Sequence, residues 1–354
     1  MSSLDLRSGF WQQELDIESR PITAFRTAFG FYEFNVLPFG LKNSPASFQR
    51  MMDATLRDLI GTCAFVYLDD VLVISPDMAT HLKHLDVVLR RLQQHGLTVN
   101  LEKCRFAKSE LKYLGHRITS TGVDKSSEKL AALLDFAPPA RKRDVRKFLG
   151  LAQWFSSFVP HFFEVTAPLY ELLQEGVRWR WSAAENAAFD AVKEVVATAP
   201  PLSHVDFTKT LVCQTDASEK GAGVVVFYEE DNQRRVVEYA SRKFSPAETR
   251  LPAYEREALA VYWASRRYRY LIENRKFRLV TDSQALSWLR TSRDLNPKLY
   301  RWFIWLSTLD FEITHCPGAL NEGPDQLSRM PQGDPEDNDL GESDEMEYLS
   351  LIHI

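Results

Sequence analysis

A chain of 354 residues with 45% hydrophobic and 12% aromatic side chains is long enough for two or three domains with real cores. It has no apolar run of 18 residues, no basic and then apolar leader, and four scattered cysteines (Cys63, Cys104, Cys213, Cys316) without a CxxC pair; this argues against membrane spans, a signal peptide, a disulfide scaffold and a cysteine zinc site. The net charge of −5 hides an asymmetry: residues 330–354 hold eight acids and no Lys or Arg, which leaves residues 1–329 at +3, a weak pointer to a nucleic-acid partner.

Residues 45–60 carry apolar side chains at Phe48, Met51, Met52, Leu56, Leu59 and Ile60, a helical spacing, with Ser44 as the expected cap and Pro45 at the first position. Residues 63–74, CAFVYLDDVLVI, are two apolar runs broken by a pair of acids and read as a buried hairpin. A helix follows from Met78 to His95, with Gly96 stopping it. His81 and His84 lie i, i+3 on it; with no third ligand nearby, a solvated face is expected rather than a metal site. Residues 126–175 read as helices broken at Pro138-Pro139 and Pro160, and Pro200-Pro201 as a boundary. Beyond it come strands at 210–215, 221–228 and 234–241, a long helix at 253–273 and a strand at 277–281. More helix (283–307), a strand (310–315) and a short helix near 323–329 complete a second α/β region. Residues 331–348, acidic with Pro and Gly, are expected to be disordered.

Asp69 and Asp70 sit between Phe65-Val66-Tyr67-Leu68 and Val71-Leu72-Val73-Ile74. A bare Asp-Asp pair is usually an exposed turn, but two carboxylates beside buried strands repel and need compensation, for which divalent metal is the natural candidate. Tyr-Leu-Asp-Asp between apolar strands resembles the catalytic signature of reverse transcriptases. Residues 4–12, LDLRSGFWQ, resemble the family's first polymerase motif, and residues 37–52, LPFGLKNSPASFQRMM, the motif beneath template and incoming nucleotide. Residues 113–116, Tyr-Leu-Gly-His, resemble the primer grip. Phe39 and its surrounding phrase are similar to gypsy-type LTR retrotransposons, since retroviruses usually have Gln there. The resemblance implies Asp5 and Asp69 as the principal metal ligands, with Asp70 in support. It also implies Phe10 as the aromatic that selects deoxyribose, and Phe39, Gly40 and Tyr67 as further substrate contacts. Transfer from a dNTP calls for two Mg²⁺ (or Mn²⁺) ions about 3.5–4 Å apart, and hard carboxylate oxygens suit them.

Arg141, Lys142, Arg143, Arg146 and Lys147 precede FLGLAQWFSSFVPHF. Alone they read as an ordinary charged helix face. By resemblance the region is the thumb, whose cations meet duplex phosphates.

The second set of acids is Asp216 in Thr-Asp-Ala-Ser, Glu257 in Tyr-Glu-Arg-Glu-Ala, Asp282 after FRLVT, and Asp325 in Pro-Asp-Gln-Leu-Ser-Arg. Each alone could be a helix cap. Together they resemble the four-carboxylate set of an RNase H domain; Glu257 is preferred to Glu255 because its 25-residue spacing to Asp282 matches the family. The phrase around Asp325 departs from the family's Ala-Asp-Ala-Leu-Ser-Arg by a proline at Pro324, which leaves the acid's placement open. The resemblance covers residues 207–329 and implies two-metal hydrolysis of RNA paired to DNA, with recognition by groove shape and 2′-OH contacts. Arg266, Arg267, Arg269, Arg275 and Lys276, interleaved with Tyr268 and Tyr270, are expected to supply positive charge there. His315 lies ten residues before Asp325, where the retrotransposon family often has a Tyr; by resemblance to retroviral enzymes, which carry a product-release His in this general region, it is a candidate substrate contact, and a strand-end His without a catalytic part is the plainer reading.

The expected fold is α/β (α+β), a partial polymerase palm with thumb helices followed by an RNase H-like mixed-sheet domain. The expected boundaries are 1–118 for palm and remnant fingers, 119–205 for thumb and tether, 206–329 for RNase H and 330–354 for the tail. The implied partners are an RNA template, a DNA primer, an RNA–DNA hybrid and dNTPs, inside the cell in a cytoplasmic virus-like particle or in the nucleus. The first methionine lies four residues before Asp5, which leaves no room for the full fingers; the chain is read as N-terminally truncated and is expected to polymerise poorly. Two rivals stay open: an inactive relic or repurposed binder of nucleic acid, and a free-standing RNase H with residues 1–205 as a grip.

Overall fold

The computed structural model describes residues 1–160, 162–219, 221–281 and 297–315. They group into two compact units, residues 1–120 and the residues from Thr121 onward. The expectations at Asp282, Asp325, the helix near 323–329 and the tail lie outside the described residues.

In the first unit, β1 (Ser2–Asp5) pairs antiparallel with β5 (Asp70–Val73), which pairs with β4 (Ala64–Tyr67), in the order β1-β5-β4. The hairpin read from the sequence is therefore real, and β1 is a third strand too short to announce itself by periodicity. Helices α1 (Ser44–Leu56) and α2 (Met78–Gln94) cover the sheet. Phe48, Met52 and Leu56 of α1 and Val88 and Leu92 of α2 are at most 1% exposed against Leu4, Val66, Val71 and Val73. The first helix stops at Leu56 and turns through Leu59 and Ile60 rather than continuing to 60. Asn43, not Ser44, is its cap position; the Ser44 hydroxyl instead donates to the Pro38 carbonyl at 2.9 Å. Asp77 caps α2 by accepting from the Thr80 N–H, and Gly96, at φ +72°, ends it where only glycine is unstrained. A second hairpin, β2 (Phe25–Thr27) and β3 (Gly30–Tyr32), projects from the unit with Phe29 and Phe31 exposed. A third, β6 (Leu111–Tyr113) and β7 (His116–Ile118), turns through Leu114 and Gly115.

The expected solvated histidine face is corrected. His81 is buried, with Nε2 bonded to Ser2 Oγ at 2.7 Å and Nδ1 to Ser75 Oγ at 3.0 Å, and His84 Nδ1 also reaches Ser75 Oγ, at 2.8 Å. Ser2, on β1, is 79 residues from His81, while Ser75 lies just past β5 and before α2. Burial lowers the His81 pKa, so the ring stays neutral.

In the second unit, β8 (Gly122–Lys125) precedes helices α3 (Ser127–Leu134), α4 (Lys142–Gln153), α5 (Phe162–Glu171) and α6 (Ala183–Thr198). Strand β9 (Leu202–Ser203) then returns to pair with β8. The approach is so close that a Cβ at Gly122 would fall 1.9 Å from the Leu202 carbonyl oxygen. A five-stranded sheet follows, in the order β12-β11-β10-β13-β14. Strands β10 (Val212–Ala217), β11 (Gly221–Glu230) and β12 (Gln233–Lys243) are antiparallel. Strands β13 (Phe277–Thr281) and β14 (Phe311–His315) join parallel. Helix α7 (Ala253–Arg267) packs on β10 and β11; at Tyr268 the expected long helix breaks, and α8 (Arg269–Ile272) resumes it. Helix α9 (Pro297–Ser307) completes the described layer, its Trp302 stacked on Tyr262. Among the described residues no helix is long and apolar enough to cross a membrane.

Candidate active site

The register of β1 on β5 sets Asp5 opposite Asp70, and the two-residue turn between β4 and β5 presents Leu68 and Asp69. The Leu6 N–H donates to the Asp69 carbonyl at 3.0 Å, which ties the turn to the end of β1. A cavity of about 400 Å³ opens here, lined by Asp5, Asp69, Gly9, Phe10, Phe39, Asn100 and Lys103 among others. Asp5, Asp69, Phe10 and Phe39 are thus brought together; Asp70, Tyr67 and Gly40 lie beside the cavity rather than in its lining. Phe10 contacts both Phe39 (5.1 Å between ring centroids) and Phe48 (5.3 Å), which makes one aromatic wall.

Burial, reinforced by the carboxylates of Asp69 and Asp5, pushes the Asp70 carboxyl up to about 6. The Lys103 ammonium works against that rise and stands 3.3 Å from Asp5 Oδ2. Asp5 Oδ1 is buried without a hydrogen-bond donor. A hard, desolvated oxygen left open beside a second carboxylate suits Mg²⁺, which usually takes one or two carboxylates and completes its shell with water and substrate phosphates. Among the described residues no group of three or more His, Cys, Asp or Glu side chains is arranged to hold a metal ion, so Asp5, Asp69 and Asp70 do not form a closed ligand set.

Four contributors were not legible in the sequence. Lys103 and Asn100 reach the cavity from a loop far beyond the Asp-Asp pair. Gly9 lies so near the turn that a Cβ would stand 2.9 Å from Asp69 Cβ and 3.1 Å from the Phe48 ring. Gln49, on α1, accepts from the Leu68 N–H at 2.7 Å and donates to the Val66 carbonyl at 3.2 Å. The segment 113–116 forms the β6–β7 turn, and the Tyr113 hydroxyl donates toward the carbonyls of Phe65 and Asp70, 3.4 Å from each.

In the second unit, Asp216 on β10 and Glu257 on α7 are both buried. Strands β10 and β13 run parallel, so Asp216 and Thr281 lie toward the same sheet end. The expected basic group is largely neutralised. Arg267 pairs with Glu238 and Arg269 with Glu273, each at 2.6 Å, and Lys276 pairs with Glu312. Arg266 instead lies over Trp305, and Arg275 over Phe207. Tyr268 is core. On α4, Val145, Phe148, Leu149 and Ala152 are buried, while Arg143, Arg146 and Lys147 form the exposed face.

The family model for reverse transcriptase (RNA-dependent DNA polymerase) matches residues 1–118, and that for the RNase H-like domain found in reverse transcriptase matches residues 206–309. The retrovirus-related Pol polyprotein from transposon 297 of Drosophila melanogaster is 33% identical over 100% of this chain and 33% of its own length. The transposon Tf2-3 polyprotein of Schizosaccharomyces pombe is 31% identical over 93% of this chain and 25% of its own. The chain thus spans about a third or less of these curated relatives. Among solved structures, the foamy viral protease-reverse transcriptase in complex with an RNA/DNA hybrid aligns with TM-score 0.76 and 25% identity, covering 94% of this chain and 45% of that one. The foamy viral enzyme in complex with dsDNA gives 0.71 and 26%, covering 90% and 67%.

Proposed function

Because the chain belongs to the reverse transcriptase–RNase H region of LTR-retrotransposon Pol polyproteins, we propose that it acts on RNA–DNA hybrids by metal-assisted phosphoryl chemistry at two sites. The observation that carries the reading is the cavity in which Asp5 Oδ1 stands buried and open beside Asp69. Asp5 and Asp69 would hold Mg²⁺ or Mn²⁺ at the polymerase site, with Asp70 in support. Asp216, Glu257, Asp282 and Asp325 would do so at the RNase H site. When bound, such ions stabilise charge on the attacking and leaving oxygens.

The chain's own residues do the rest. Lys103 balances the carboxylate charge at Asp5. Phe10 and Phe39 wall the cavity and bound the space for the sugar. The exposed cations of α4 suit duplex phosphates. On this reading residues 1–118 are palm and partial fingers, 119–205 thumb and tether, and 206–329 RNase H. The ligands are an RNA template, a DNA primer, their hybrid and dNTPs. Polymerisation by this chain alone is proposed to be weak, since Ile17, Ile22, Phe29 and Phe31, in and just before the β2–β3 hairpin, are 78 to 90% exposed rather than packed.

The first experiment is cleavage of a labelled RNA–DNA hybrid with Mg²⁺ beside an Asp282→Asn variant, together with primer extension on RNA beside Asp69→Asn. Cleavage lost in Asp282→Asn and trace extension lost in Asp69→Asn are expected. A folded protein that binds the hybrid equally in EDTA and cuts nothing would turn the reading into that of a binder.

A further inference from the structure

The turn that carries Asp69 is made by the wrong residue. A two-residue hairpin turn needs positive φ at its first central position, which suits Gly, Asn or Asp. Here Leu68 holds φ +51°. A bulky side chain in that region is strained and persists only where its surroundings over-determine it. Backbone pairing does not: the β4–β5 ladder joins Tyr67 to Asp70 across the turn and leaves the Leu68 N–H to another partner.

That partner is one buried carboxamide. Gln49, 6% exposed on α1, accepts the Leu68 N–H at 2.7 Å. Its amide nitrogen donates to the Val66 carbonyl at 3.2 Å and to Asp53 Oδ1 at 2.8 Å. The orientation is fixed by chemistry, since a flipped amide would set NH₂ against N–H and oxygen against carbonyl. One side chain therefore bonds both the Val66 carbonyl of β4 and the N–H of the turn residue Leu68. Asp53, one helical turn along, fixes the grip in place.

We propose that Gln49 is the positioning residue of the polymerase turn: it holds Leu68 in its strained conformation so that Asp69 stands in the cavity beside Asp5. The role rests on the polymerase reading above for its consequence, but not for its geometry. Without the clamp the turn relaxes toward negative φ, and Asp69 moves with it. If Leu68 were glycine, positive φ would cost nothing and the clamp would be dispensable.

The test is a double-mutant cycle in the full chain with Gln49→Met, Leu68→Gly and the pair. Three readouts are taken: hydrogen exchange of peptides covering residues 64–73, the Mn²⁺ binding that Asp69→Asn removes, and single-nucleotide addition on an RNA template. In Gln49→Met, exchange in the turn should quicken, and Mn²⁺ affinity and the addition rate should each fall by roughly tenfold, while primer–template affinity stays within about twofold. Adding Leu68→Gly should restore all three to about the level of Leu68→Gly alone. A pair as impaired as the product of its singles overturns the proposal, because a merely structural glutamine would not be rescued by a glycine. If the unmodified chain adds no nucleotide, the polymerase reading falls, and exchange and Mn²⁺ binding alone decide for or against the clamp.

Discussion

Two hairpins of the first unit make opposite use of the same geometry. The β4–β5 hairpin has Ala64, Phe65, Val66, Val71, Leu72 and Val73 at 3% exposure or less, and its strained turn is held by Gln49 from below and by Leu6 from the side. The β2–β3 hairpin is packed far more thinly: Phe25 meets Tyr32 at 5.9 Å and Phe34 at 5.5 Å, Arg26 lies over Phe31, and Phe29 is 90% exposed. A lone two-stranded ribbon is marginal in water. Strain is affordable where packing fixes the backbone from several sides, and the hairpin with such packing is the one that carries the acids.

Asp69→Asn should cut nucleotide addition by roughly 10³-fold, the scale of removing a charge-stabilising group at a reaction centre, with no loss of melting temperature. Retained addition would show that the buried hairpin is scaffold only. Phe48→Ala, beneath the same hairpin, should cost about 3–5 kcal/mol in urea unfolding of the first unit. Phe29→Ser at the tip of the exposed hairpin should change stability by no more than about 0.5 kcal/mol and improve solubility. Equal costs at the two positions would erase the contrast. His81→Ala should cost about 2–3 kcal/mol, since it empties a buried site and strands the hydroxyls of Ser2 and Ser75. A further effect is a pH signature at Asp70. Its folded pKa of about 6 lies above the ordinary carboxylate value, so the group's contribution to stability is full below pH 4 and is lost as pH rises through 6. In EDTA, Asp70→Asn should therefore raise the melting temperature by about 2–4 °C at pH 7.5 and leave it unchanged at pH 4. An equal gain at both would remove the electrostatic account.

What the sequence made legible follows the range of the interactions involved. Two apolar runs around Asp69-Asp70 declare a buried hairpin because the signal is local. Strand β1 does not, for its four residues become a strand only through pairing with Val73 to Asp70. His81 and His84 fall on the polar side of the helical pattern; Ser2, which bonds His81 from 79 residues away, is invisible to any window along the helix. Two of the expected cations around α7 and α8 are paired for the same reason out of sight of the sequence, Arg267 by Glu238 and Lys276 by Glu312, both from strands. Gln49 in the middle of SPASFQRMM looks like one more polar helix residue until the turn it grips is known.

The contact at Gly122 bears on synthesis. Strand β8 finds β9 only when Leu202 and Ser203 have been made, 80 residues after Gly122 and Val123, which they pair with. At about 5–20 residues per second, that edge of β8 waits roughly 4–16 s on the ribosome for its partner. Four helices must fold in the interval, because closing so long a flexible loop unaided is entropically expensive. A ribosome pausing within α6 would hold an open strand edge in the crowd of neighbouring nascent chains, the state from which strand-to-strand aggregation begins.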